Sequence, residues 1–181
     1  LQLATSTALA SQFSAVVERN AQMLRLAQMA PNTDLAGFRE RINSDYLKIQ
    51  SQGRSLDGVD AASVNAALGR LRLQQGAADQ AIPLLKRAWE GGEQSAQTAL
   101  ALGLANALQL RESLAAAALQ RDPDLRAEMT ELADQRFRQP ALQFLANAEK
   151  GGVDNPDYGR ALIAHLAGDY GLAQSHAQSA L

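Results

Sequence analysis

Residues Asn65–Gly92, NAALGRLRLQQGAADQAIPLLKRAWEGG, read as two short helices folded against each other. Leu68-Gly69 opens the pattern, Gly76 stops the first helix, and Ala81 and Ala88 share one face of the second. Small residues stand where the two backbones must come close. The spacing Gly76–Ala81–Ala88 returns near the C-terminus as Gly168–Ala173–Ala180, with the same offsets of five and twelve residues. Helix pairs that cannot bury their apolar faces alone, repeated along a chain, stack into an α-solenoid. Binding or scaffolding fits such a stack better than catalysis.

Working outward, Gly91-Gly92 ends the pair and Ser95 is placed to cap the next helix. Pro83 falls near the start of the second helix, where a missing N–H is tolerated. In AQTALALGLANALQL, Leu102-Gly103 stands in place of Leu68-Gly69, but Leu110 occupies the position where a second Gly is expected. Helical material continues to a division at Asp122-Pro123. Pro140 then opens PALQFLANAEKGG, shaped like AIPLLKRAWEGG and again stopped by a Gly pair, Gly151-Gly152.

On the N-terminal side, a helix over residues 5–29 carries the stripe Phe13, Val16, Val17, Met23, Leu24 and Ala27, with Pro31 past its end. Asn32 or Thr33 can cap a second helix bearing Phe38, Ile42, Tyr46 and Ile49. GRSLDGVD, residues 53–60, reads as the clearest linker. The expected domains are an N-terminal helical hairpin at 1–52 and helical repeats at 61–181. Those repeats fall at 61–92, 95–121, an irregular 122–152, and 156–181. About nine helices and no strand are expected, an all-α solenoid of antiparallel pairs.

Composition narrows the function. The 181 residues carry 46% apolar but only 4% aromatic residues, so the core is thin and helices approach closely. A net charge of −2 and scattered basic residues give no electrostatic footprint for nucleic acid. With no cysteine, disulfides, thiolate catalysis and Cys-based zinc sites are all excluded. No run reaches the roughly 20 apolar residues of a membrane span, and LQLATSTALASQF lacks a signal peptide's basic flank. The chain reads as a piece of something larger.

His165 and His176 are the two histidines, and a metal would need Asp169 or Asp157 as a third ligand. Too few ligands converge, so no metal, cofactor or catalytic residue is assigned. No Gly-x-Ser-x-Gly elbow occurs, and the Gly pairs follow helices rather than open them, which suits C-caps better than phosphate cradles. The inner face of the first helices carries Ser63, Ala66, Arg70, Leu73 and Gln74, then Gln97, Leu100, Leu104 and Leu108, then Tyr158, Leu162, His165 and Leu166. Arg70, Leu104, Tyr158, Leu162 and His165 are the expected partner-binding groove, suited to an amphipathic helix or to self-packing. The partner expected is a protein or peptide, a second copy of the chain included.

The Leu-Gly, Gly and Ala spacing resembles the tetratricopeptide (TPR) repeat, well at Leu68–Ala88 and Gly168–Ala180 and partly at Leu102-Gly103. Four stretches resemble something more particular. FSAVVERNAQMLRLAQMAP, AALGRLRLQQGAADQAIPLLKRAWEGG, TALALGLANAL and RFRQPALQFLANAEKGGVDNPDYGRALIAHLAGDY are similar to the TPR-containing C-terminal sensor region of bacterial transmembrane serine/threonine protein kinases. The resemblance implies a non-catalytic sensor or protein-interaction domain on the periplasmic side of a single-pass inner-membrane protein, with the kinase domain elsewhere in the parent. No kinase motif occurs in these residues. The alternative is a free-standing TPR adaptor of a bacterial secretion or assembly system, which would place the chain in the cytoplasm.

Overall fold

A computed structural model describes residues 2–29, 35–54, 56–152, 156–166 and 168–179. Among them the chain is all-helical: α1 (Gln2–Met29), α2 (Leu35–Gly53), α3 (Gly58–Gln74), α4 (Ala78–Glu90), α5 (Ala96–Ala118), α6 (Pro123–Ala133), α7 (Gln139–Lys150), α8 (Pro156–Leu166) and α9 (Tyr170–Ser179). A π-helical turn, Asp134–Arg138, joins α6 to α7. The expected caps Asn32 and Thr33, and Ala180 of the C-terminal spacing, lie outside the described residues. Two compact units result, Leu1–Gln94 and Ser95–Leu181.

In the first unit the helices expected as a hairpin at 1–52 pack against the first of the expected repeats. Phe13 and Val17 of α1 and Ile42, Tyr46 and Ile49 of α2 share one core with Val64, Ala67, Leu68 and Leu71 of α3. A two-helix hairpin with this thin stripe cannot bury its apolar side alone, so it closes over the first repeat. The expected linker 53–60 shrinks accordingly: α2 runs through Gly53 and α3 already begins at Gly58. Gly53 is required at that corner, because a Cβ there would meet Val64 Cγ1 at 2.5 Å.

One polar group inside this contact was not foreseen. Asn20, 1% exposed, lies on the buried stripe of α1 and donates Nδ2–H to Asp45 Oδ2 at 2.9 Å. Arg19 at 3.5 Å and Lys48 at 3.9 Å flank the same carboxylate. A buried acid without such partners would be costly, and here its charge is answered.

The helix pair at the centre of the sequence forms as expected. Ala81 and Ala88 are wholly buried, and Gly69 passes so close to α4 that a Cβ would lie 2.6 Å from Leu85 Cγ and 3.2 Å from its backbone nitrogen. Gly76 ends α3 at φ 80°, with Gly76 N–H donating to Leu73 O and Ala77 N–H to Arg72 O, a Schellman stop. Pro83 differs from expectation. It lies inside α4 rather than near its first turn, and its solvent-exposed position leaves water to satisfy the freed carbonyl. Replacing Ala81 with Leu should overpack this contact and cost about 1–3 kcal/mol, measured by denaturant unfolding; an unchanged midpoint would contradict the assigned packing.

The second unit repeats that contact with an insertion. Gly103 of α5 meets Leu145 of α7 as Gly69 meets Leu85: a Cβ would lie 2.6 Å from Leu145 Cγ and 3.1 Å from its backbone nitrogen. Gly91 abuts Ala62, and Gly151 likewise abuts Ala96. From Ala62 to Ala96 and from Gly69 to Gly103 the offset is 34 residues, but from Leu85 to Leu145 it is 60, so the second copy holds 26 extra residues between its helices. The expected repeats 95–121 and 122–152 are therefore the two arms of one elongated hairpin. The reason is local. Leu110, 1% exposed, stands where a stopping Gly was expected, and α5 continues to Ala118.

Asp122 turns the chain back, its Oδ1 accepting from Asp124 N–H and Leu125 N–H with Pro123 at the first helical position. From there the helix runs unbroken to Lys150, through the π turn, where Gln139 N–H donates to Asp134 O. Pro140 stands at the second position of α7, as a helix opener would, but α7 continues directly from the π turn rather than from a loop. The proline has no N–H to give to the carbonyl four residues back, and the ladder widens immediately before it. α8 and α9 complete the unit, joined at Gly168, whose φ of 83° and Schellman bonds from Gly168 N–H to His165 O and Asp169 N–H to Ala164 O match Gly76. Ala173 is only partly buried, less than the buried contact expected of it.

Candidate interaction surfaces

Arg70 belongs to the first unit, and Leu104, Tyr158, Leu162 and His165 belong to the second. Arg70 is already engaged: its Nη2 pairs with Glu18 of α1, and one turn further Gln74 Nε2 donates to Val17 O at 3.0 Å. The inner face of α3 is thus covered by α1 at these positions. Ser63, nearer the start of α3, donates its hydroxyl to Glu93 Oε2 at 3.2 Å. Sequence periodicity placed the face of α3 but not the helix that lies on it.

In the second unit Leu162 packs against the core formed by Leu110, Ala141, Leu145 and Leu166, so it is part of the floor rather than a free contact. Leu104 is half-buried. His165 is exposed, its ring 5.5 Å from that of Tyr170 in an edge-on arrangement. Tyr158 lies in α8, and its side chain is outside the described residues.

Beside these residues a polar chain ties α7, α8 and α9 together. Arg160 Nε donates to Glu149 Oε1 at 2.6 Å and its Nη1 to Asp157 Oδ1 at 3.2 Å, while His176 Nδ1 lies 3.5 Å from the same Asp157 oxygen. The hydrogen bond to Glu149, then the charge of that carboxylate, raise the Arg160 pKa above its ordinary value. Asp169, the other carboxylate considered beside the histidines, caps α9 by accepting Leu172 N–H at 3.0 Å. Both acids have structural work in this arrangement. No group of three or more His, Asp or Glu side chains able to hold a metal ion occurs among the described residues.

The elongated hairpin supplies a surface that sequence reading missed. Leu114 and Ala117 of α5 turn inward toward α6 and its Ala133. Leu119, 83% exposed, and Leu125 and Leu132, 42% and 55% exposed, remain in solvent on the extension. All three lie on α6 or just past the end of α5. The available signal was Leu110 in place of glycine, which lets α5 run on past the end of the repeat.

No helix among the described residues is long and apolar enough to cross a membrane. No protein-family model matches this chain, and no curated protein or solved structure matches it significantly.

Proposed function

We propose that the chain is a non-catalytic sensor and protein-interaction domain of a bacterial membrane-anchored serine/threonine protein kinase, held on the periplasmic side of the inner membrane by a span outside these residues. Binding of a protein or peptide partner, or of a second copy, would then change how the attached kinase domains meet. Such coupling requires unequal affinity of the partner for two arrangements of the receptor.

The observation that carries the interaction reading is the duplicated interlock, Gly69 on Leu85 and Gly103 on Leu145, with its first helices offset by 34 residues. Thirty-four residues is the TPR period, and stacks of such pairs serve as binding scaffolds. The four quoted stretches that resemble the sensor region of such kinases support the narrower reading. The exposed leucines of the elongated hairpin add apolar surface of the kind partners bury.

The coding sequence upstream of Leu1 tests this. The expected result is a kinase domain, with its Gly-rich loop and His-Arg-Asp motif, followed by about 20 apolar residues that can span a bilayer. A reading frame that starts just upstream of Leu1 without either feature would transfer the chain to the adaptor class.

A further inference from the structure

We propose that the first unit contains a binding site for a small amphipathic organic acid, in the cavity where α2, α3 and α4 meet. The proposal goes beyond the sensor reading and does not rest on it, since the described lining of this open cavity lies within residues 46–87. Its volume is about 250 Å³. Ligand pockets commonly start at roughly 300 Å³, so the occupant must be compact.

Three helices present the lining at helical spacing. Tyr46, Gln50 and Arg54 come from the end of α2 and the turn after it, Asn65 and Leu68 from α3, and Leu84 and Arg87 from α4. Gly53 makes the corner possible, because only a residue without a Cβ passes Val64 this closely and leaves the next residue, Arg54, at the cavity. The cavity therefore depends on the same close approach that joins the N-terminal hairpin to the repeat.

Charge then selects the ligand. Two guanidinium groups line the cavity and, among the described residues, no carboxylate does, in a chain whose net charge is −2. Arg70 and Arg160 elsewhere are neutralised by Glu18 and by Glu149 with Asp157. Arg54 has no ion pair or side-chain hydrogen bond among the described residues. Arg87 uses Nε alone, donating to Pro83 O at 3.3 Å, which leaves its terminal nitrogens available. Arg72 adds further positive charge behind the wall, its guanidinium carbon 3.8 Å from the centre of the Tyr46 ring.

Guanidinium forks match a carboxylate in a bidentate manner, and Gln50 and Asn65 add amide groups able to donate or accept. Leu68, Leu84 and Val64 supply an aliphatic floor that a bare inorganic anion cannot use. A carboxylate on a short hydrocarbon satisfies both halves of the lining.

The test is a titration of the 181-residue chain with hexanoate, acetate and inorganic phosphate at fixed ionic strength, followed by two-dimensional NMR with hexylamine as the opposite-charge control. Saturable shifts confined to residues around Arg54, Asn65 and Arg87 are expected with hexanoate, at lower concentration than with acetate or phosphate. Arg54→Gln and Arg87→Gln should each weaken hexanoate about tenfold or more, the loss of one charge-assisted hydrogen bond, without moving the unfolding midpoint. Hexanoate no tighter than phosphate, an equal response to hexylamine, or undiminished affinity in both variants would each overturn the proposal. Because both arginines are exposed, misfolding is not expected of these variants; Arg54→Lys, which keeps charge but loses the fork, should fall between wild type and Arg54→Gln. Absence of any saturable shift in the wild-type chain would also overturn it.

Discussion

Truncating Leu145 to Ala is expected to destabilise the second unit by about 2–5 kcal/mol, the usual range for a fully buried Leu. Leu145 is 1% exposed and fills the space that Gly103 leaves between α5 and α7. Its removal forfeits apolar burial and opens a cavity that neighbours cannot readily close. Gly103 contributes no side chain, and Ala141 and Ala148 on the same helix are too short to reach in. Urea unfolding followed by circular dichroism measures the loss. Leu132→Ala, on the same continuous helix but 55% exposed, is the control and should stay within about 0.5 kcal/mol. Equal losses in the two variants would refute the interlock between α5 and α7.

The converse change, Gly69→Val in the first unit, should cost about 3 kcal/mol or somewhat more, at the upper end for overpacking. In an exposed helix, replacing Gly would gain up to about 1 kcal/mol from propensity. Here the new Cβ falls 2.6 Å from Leu85 Cγ, which can swing away, and 3.2 Å from Leu85 N, which cannot without moving α4. The backbone contact therefore decides the sign. Pairing a smaller insertion with a truncation makes the test sharper. Gly69→Ala with Leu85→Ala should cost less than the sum of the single changes by about 0.5–3 kcal/mol, because the added methyl enters the void the truncation leaves. Strict additivity would show that the two residues do not share this contact.

How well each feature could be read depended on how local its cause was. Gly76 and Gly168 were recognisable as helix stops because a left-handed residue followed by a Schellman pair needs only its own turn, and both glycines have φ near 80°. Ser95, whose Oγ accepts Thr98 N–H at 3.3 Å, and Asp122 were readable for the same reason. The stripe of Phe13, Val17 and Ala27, and that of Ile42, Tyr46 and Ile49, followed from helical periodicity and are buried as expected. Periodicity fails where proline breaks it. Pro83 looked like a helix opener yet lies inside α4 at an exposed position, and Pro140, at the second position of α7, follows a π turn rather than a loop.

The candidate groove was readable only in outline. Residues three and four apart on one helix share a face whatever the fold, so Leu162, His165 and Leu166 could be grouped on α8. Whether such a face stays open is a question about its neighbours. α1 covers Arg70 and Gln74, while the core takes Leu162 and leaves His165 exposed.

By itself, the sequence determined that this protein is a series of helices, where most of them stop, and which stripe of each turns inward. These follow from hydrogen bonding and steric preferences within a few residues of each position. Only the tertiary structure decided which helices pair: α1 and α2 with the first repeat, α5 with α7 across 26 inserted residues, and Arg54 with Arg87 at one cavity. Those choices join residues tens of positions apart. The energy that fixes them is close packing, seen in how little room Leu85 and Leu145 leave above a glycine, and a pattern of three and four residues carries no record of it.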